Sequence, residues 1–260
     1  MKRLIYQVYV GPKSNLYDWC TNSVEQYAKD IGADYILQTI PKLFIKPDPF
    51  TTNRSEGASR LGYLPIYEKE NAFGYFDDYD QIAIIDSDIF IRDKSPSIFN
   101  EINPDDDFAG VYEREMPVTQ NYSNKIRNYS RMQYGGMNMD FDFDHPHGGA
   151  FMNMGMMVMN KSFQKYLRGM SPKEWITQPL WKDFVDGKGT WKWSTDQTLL
   201  NAFIKMEGIK VTHLSYKWNA LFTAIPDNNL SEAHFIHFFL KDKLPSAGEN
   251  IEELKGKLNL

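Results

Sequence analysis

The chain has 260 residues, 42% hydrophobic and 24% charged, a balance that suits an ordinary globular protein and a length that suits one large α/β domain. Its formal net charge of -5 argues against the basic face that non-specific nucleic-acid binding needs. No apolar run approaches the roughly 18 residues of a membrane span. The single cysteine, Cys20, excludes an internal disulfide and fits a reducing, cytoplasmic compartment.

Despite Lys2 and Arg3, the N-terminal apolar stretch is too short for a secretory signal and reads as a first strand over residues 4–10. A helix follows from Ser14 or Asn15, with Leu16, Cys20, Val24, Tyr27 and Ile31 as its buried stripe and Gly32 as its stop. On that stripe Cys20 is a small core residue rather than a nucleophile. Residues 35–38 form a second strand. Pro65 opens a helix carrying Ile66, Tyr67 and Phe73. The apolar run 81–85 is a strand buried on both faces. This alternation predicts a mostly parallel central sheet flanked by helices.

Further on, residues 95–102 read as a short helix and 107–111 as a strand. Residues 112–149 show no clear period and are expected to form a long functional or disordered loop. Residues 150–160 return to strand character, and two helical stretches follow between 161 and 186. Ser194, with Gln197 three residues on, predicts a capping box for a helix with the stripe Leu199, Leu200, Phe203 and Ile204, ended by Gly208. Residues 209–213 and 234–239 are late strands.

Chemistry concentrates at four places. Asp86 and Asp88 leave the buried strand at i and i+2, so they point the same way if the backbone stays extended. Like charges that close repel unless a cation sits between them, and a hard divalent ion such as manganese or magnesium suits two carboxylates. The alternative for so short a pattern is a solvated turn with Asx-type hydrogen bonds. His237, near the end of a late strand, offers an imidazole to such a metal, with Lys243 six positions on as a charge for phosphate. Otherwise His237 is a satisfied core histidine and 241–243 a solvated stretch. Asn153 and Gly155 interrupt an apolar strand, where glycine marks a bulge or the close approach of another group; the surrounding methionines are core filler. Asp196 and Gln197 fall in the first turn of a helix, either as simple capping chemistry or as site residues. The run 140–147, with alternating Asp and Phe before two histidines, reads as an exposed polar loop or an edge strand rather than a second metal site.

In this order, over roughly residues 3–243, IIDSDIFI (84–91), FMNMGMMVMN (151–160), DQTLLN (196–201) and HFFLKDK (237–243) resemble the motifs of the GT-A glycosyltransferases. The likeness is greatest to the family 8 type that includes glycogenin and bacterial galactosyltransferases. Leu240 stands where glycine is usual in that family, and no Pro-Trp follows Lys243.

The resemblance implies a single GT-A domain over 1–260, a nucleotide-diphosphate sugar donor (usually a uridine diphosphate sugar) and manganese or magnesium bridging its phosphates. It implies a carbohydrate or other hydroxyl acceptor. Val8, Tyr9 and Val10 would hold the base, and Lys69 and Lys243 would lie near the ribose and phosphates. Asp86, Asp88 and His237 would hold the metal, with Ser87 beside them at the donor. Asn153, Asp196 and Gln197 would line the donor sugar and reaction centre. The family 8 type retains anomeric configuration; if the chemistry inverts, Asp196 is the candidate base.

The loop at 112–149 is expected to shape the acceptor side, with Tyr112, Tyr122, Tyr129 and Tyr134, and later Trp191 and Trp193, as stacking faces. A sugar-nucleotide pyrophosphorylase would need a Gly-rich, Arg-bearing loop after the first strand, where this chain has only Gly11-Pro12-Lys13. A non-catalytic binding module of the same fold is the other alternative.

Overall fold

The computed structural model describes residues 1–58, 61–192 and 194–260. Its larger sheet has six strands in the order β2 (Asp34–Gln38), β1 (Arg3–Val8), β3 (Gln81–Ile85), β6 (Met152–Asn160), β5 (Phe108–Tyr112) and β7 (Val211–His213). β1 runs parallel to β2 and β3, and β5 runs parallel to β7. β6 alone is reversed, pairing antiparallel with both β3 and β5. The sheet is therefore mostly parallel, as the alternation of elements predicts.

Every residue of β3 is buried, because its side chains alternate between two cores. Ala83 and Ile85 face one core together with Ile5, Val158 and the stripe of helix α1 (Asn15–Asp30). Ile82 and Ile84 face the other with Leu4, Tyr6, Phe108 and the helix α3 (Asp196–Glu207). Each fully buried isoleucine contributes about 1.5–3 kcal/mol. Cys20 is fully buried on the α1 stripe, and burial pushes its thiol well above the usual range. Ile31 lies beyond the last turn and is only half-buried.

A second, three-stranded sheet is made of β4 (Ile89–Ile91), β9 (Phe235–His237) and β8 (Ala220–Leu221), with β9 in the middle. This sheet positions the site. β4 follows the acidic pair directly, and its antiparallel register sets Ile89 opposite His237.

Several expectations change. Residues 112–149 are not an irregular loop; they contain the 16-residue helix α2 (Gln120–Gly135). The element opened by Pro65 is a 3-10 helix, Pro65–Tyr75. Residues 95–102 supply only the 3-10 turn Ile98–Asn100. Between 161 and 186 the chain forms several short helical pieces, including Gln164–Leu167, Pro172–Ile176 and Lys182–Asp186, instead of two helices. The N-cap of α3 is Thr195, whose N–H donates to Thr198 Oγ1 at 3.4 Å, not Ser194 with Gln197. Ser194 is buried and holds Arg54 instead. The run 140–147 forms no strand: Phe141 and Phe143 turn into a small core with Tyr134 and Phe151. C-terminal helix α4 (Ile251–Leu258) packs on α1.

Candidate active site

β3 ends at Ile85, and Asp86 to Asp88 form a turn in which Ile89 N–H donates to Asp86 O at 3.1 Å. The two carboxylates therefore meet through a turn and not through an extended backbone. Two hydrogen bonds to the Asp86 backbone fix that turn. Asp86 N–H donates to Gly155 O at 2.7 Å, and the fully buried Gln7 donates from Nε2 to Asp86 O at 3.1 Å. Across the smaller sheet, Phe238 N–H donates to Asp88 O at 2.9 Å, which delivers His237 beside the pair.

One ligand atom from each of Asp86, Asp88 and His237 lies within 4.8 Å of the others, and His237 Nε2 is 3.3 Å from Asp88 Oδ1. Two carboxylate oxygens and one imidazole nitrogen converging in this way fit a divalent cation such as manganese or magnesium. Burial pushes the Asp86 carboxyl up to about 6, against the opposing pull of Lys69. Burial also raises Asp88, but the His237 ring and its hydrogen bond outweigh that and hold Asp88 below its usual value. Reciprocally, burial lowers His237 and Asp88 more than restores it, so the ring is shifted upward.

Lys69, on the 3-10 helix, is the hub of the charges. Its ammonium donates to Asp86 Oδ1 at 2.9 Å and to Met154 O at 2.8 Å, and it forms a 2.7 Å ion pair with Asp196 Oδ2. Burial works against its charge; the carboxylates of Asp196 and Asp86 prevail and keep it protonated. The next residue, Glu70, is 1% exposed with neither oxygen hydrogen-bonded, and burial followed by repulsion from Asp196 drives it toward the neutral form.

These groups open into a cavity of about 270 Å³ lined by Val8, Tyr9, Val10, Tyr17, Lys69, Asp86, Ser87, Asp88 and Asp196. It lies at the carboxyl ends of β1 and β3, where open α/β sheets place ligands. Deeper in the wall, Asn153 and Gln197 both donate to Glu113 Oε1, at 2.9 and 3.3 Å. Asn153 Oδ1 accepts from Gly155 N–H at 3.0 Å and from Asn219 Nδ2 at 2.9 Å.

Of the residues expected at the site, Lys243 is not brought in. Leu240 adopts the left-handed conformation (φ 58°, ψ 59°), a 3-10 turn follows, and Lys243 ends exposed. Lys241 takes the nearer place: its ammonium lies 4.9 Å from the Tyr17 ring centroid, donates to Ser14 Oγ at 2.7 Å and pairs with Glu249. Leu240 occupies a backbone conformation that favours glycine, the residue usual there in the family 8 type.

The expected stacking platforms are mostly engaged elsewhere. Tyr134 is buried, Trp191 packs on Phe184 at 4.8 Å and donates to Gln133 O, and Tyr122 donates to Glu113. Tyr112 packs on His213 at 4.2 Å, and Trp193 lies outside the described residues. Sequence reasoning missed Glu113, Asn219 and Tyr17. Tyr17 carried a signal, since one helical turn places it beside the end of β1.

No protein-family model matches the sequence, and no curated protein matches it. Solved structures do. The galactosyltransferase LgtC, in complex with donor and acceptor sugar analogues, superposes with a TM-score of 0.57 at 15% identity, over 98% of this chain and 95% of that one. A glycosyltransferase involved in glycosylating the major capsid of PBCV-1 gives 0.51 at 16% identity, over 97% and 100%. Mouse xyloside xylosyltransferase 1 gives 0.51 at 11%, over 94% and 100%. The fold is thus that of the GT-A glycosyltransferases. The likeness to LgtC is one of fold.

Proposed function

We propose that the chain is a metal-dependent hexosyltransferase moving a sugar from a nucleotide-diphosphate donor, a uridine diphosphate sugar, to a hydroxyl of a carbohydrate or similar acceptor. The observation that carries this reading is the convergence of His237 on Asp86 and Asp88, which line the same cavity as Val8, Tyr9, Val10, Lys69 and Asp196.

Asp86, Asp88 and His237 would hold manganese or magnesium, which neutralises the charge that builds on a leaving diphosphate. The rim formed by Val8, Tyr9, Val10 and Tyr17 suits the flat, partly apolar face of a base. Lys69 holds Asp86 and Asp196 in place and adds positive charge to the cavity. Asn153 and Gln197, braced on Glu113, present fixed amides to the sugar. With Asp196 held in its ion pair with Lys69, we read the transfer as retaining.

On this reading residues 1–260 are one catalytic domain, the segment 112–149 flanks the acceptor, and the lone buried Cys20 accords with a cytoplasmic setting. Incubation with a panel of nucleotide sugars, with and without Mn²⁺, tests it. Mn²⁺-dependent release of free nucleotide diphosphate supports the assignment. Binding without turnover points to a binding module, and dependence on a nucleoside triphosphate points to a pyrophosphorylase.

A further inference from the structure

Four buried polar side chains from four different segments are joined in one line. Glu113, Asn153, Asn219 and His237 are 4%, 6%, 0% and 5% exposed. Asn153 Nδ2 donates to Glu113 Oε1 at 2.9 Å, and Asn219 Nδ2 donates to Asn153 Oδ1 at 2.9 Å. Asn219 Oδ1 lies 3.0 Å from His237 Nδ1, and His237 Nε2 lies 3.3 Å from Asp88 Oδ1. We propose that Glu113 is a positioning residue that sets the tautomer of His237 through this chain of amides, leaving Nε2 bare and ready for a cation. The inference rests on the metal-centre reading above.

A primary amide has a donor end and an acceptor end, so an orientation imposed at one end of such a chain passes to the other. Glu113 Oε1 receives two donors, from Asn153 and from Gln197. Its other oxygen, Oε2, faces the Tyr122 hydroxyl at 3.3 Å, which can donate or accept. A proton on Glu113 would therefore reside on Oε2, and Oε1 stays an acceptor in either protonation state. Asn153 must then turn its NH₂ toward Glu113 and its carbonyl oxygen toward Asn219. Gly155 N–H donates to the same oxygen at 3.0 Å and supports that orientation, without supplying the acceptor that Asn153 Nδ2 needs.

Asn219, forced to donate to Asn153, presents its own carbonyl oxygen to the ring. In the neutral ring His237 Nδ1 must carry the proton, so the Nε2 lone pair faces Asp88 Oδ1 at 3.3 Å. Two lone pairs so placed are reconciled by a shared cation, either a second proton on Nε2 or a metal ion. Partners of this kind around a ligating histidine fix its tautomer and raise metal affinity about 10- to 100-fold.

Heteronuclear NMR of the His237 ring nitrogens tests the proposal in the metal-free native protein, at alkaline pH where the ring is neutral. The expected result is a proton on Nδ1 and none on Nε2; a proton on Nε2 overturns the proposal, with no variant needed. Titration with Mn²⁺ alone adds a second readout. Glu113→Gln can keep its carbonyl toward both amides and its NH₂ toward Tyr122, so it should preserve both the tautomer and the affinity. Glu113→Leu should lose the tautomer preference and bind Mn²⁺ at least about tenfold more weakly. A folded Glu113→Leu protein with unchanged tautomer and affinity overturns the proposal. An Nδ1-protonated ring in a native protein that takes up no Mn²⁺ upholds the amide chain and overturns the metal-centre reading instead.

Discussion

A Cβ atom placed on Gly155 would lie 2.5 Å from Nδ1 of His237, so the imidazole occupies space that only a glycine leaves open. Gly155 sits in β6, where its carbonyl accepts from Asp86 N–H and its own N–H donates to Asn153 Oδ1. The strand gives up a side chain at that point and gains a histidine packed directly against its backbone.

Gly155→Ala is therefore expected to push the ring away from Asp88. Overpacking of this kind costs about 1–3 kcal/mol. Thermal unfolding should register that loss, and Mn²⁺ titration of the folded variant should show affinity reduced by about tenfold or more.

Lys69 offers a second test. Lys69→Met leaves Asp86 and Asp196 beside each other without their shared cation, and removing one partner of a buried ion pair costs about 3–5 kcal/mol. Chemical denaturation should show a loss of that order. Mn²⁺ should restore part of the stability, because a metal ion replaces some of the missing positive charge. A variant as stable as the native protein, with or without Mn²⁺, would show that the carboxylates do not depend on Lys69.

The lowest pH range reports on a different pair. Hydrogen bonds from Lys241, Ser14 and the Asn15 N–H hold Glu249 down to about 2, from an ordinary 4.5. A carboxylate depressed in the folded state contributes stability above its unfolded pKa and loses it as pH falls through the folded one. Between pH 4.5 and about 2 the melting temperature of the native protein should thus fall more steeply than that of Glu249→Gln. Because the Glu249 side chain is 41% exposed, the difference in slope should be small and should shrink with added salt. Parallel slopes for the two proteins would mean that the contact does not hold in solution.

Leu240 is 37% exposed and sits at φ 58°, where a side chain costs about 1–2 kcal/mol. Glycine relieves that strain but frees the unfolded chain by roughly 0.5–1 kcal/mol. Leu240→Gly should therefore match or slightly exceed the native melting temperature in a thermal scan. A clear drop would show that the leucine side chain contributes packing that outweighs its backbone strain.

The core of the site was legible because its signals were local. The run Gln81–Ile85 announced a buried strand, and Asp86 and Asp88 at its exit needed only one turn to converge. His237 could be paired with them once its own strand was recognised. Glu113 and Asn219 gave no such signal. Each is a lone polar residue whose partners lie 40 and 66 positions away along the chain, so only the fold brings them to Asn153.

Helix α2 was hidden for another reason. The residues it buries are Ser123, Ser130, Gln133 and Tyr134, which draw no apolar stripe. The placement of Lys241 beside Tyr17, with Lys243 exposed, follows a left-handed Leu240, which redirects the next turn in a way that residue spacing does not encode.

On the proposed function, donor binding depends above all on a cation held by the acidic pair and the histidine against a diphosphate. Calorimetric titration of uridine diphosphate in the presence of Mn²⁺, run on the native protein and on Asp88→Ala, tests this most directly. The native protein should bind only when the metal is present, and Asp88→Ala should lose binding while keeping its circular dichroism spectrum. Equal affinity in the two proteins, or binding indifferent to Mn²⁺, would contradict the account.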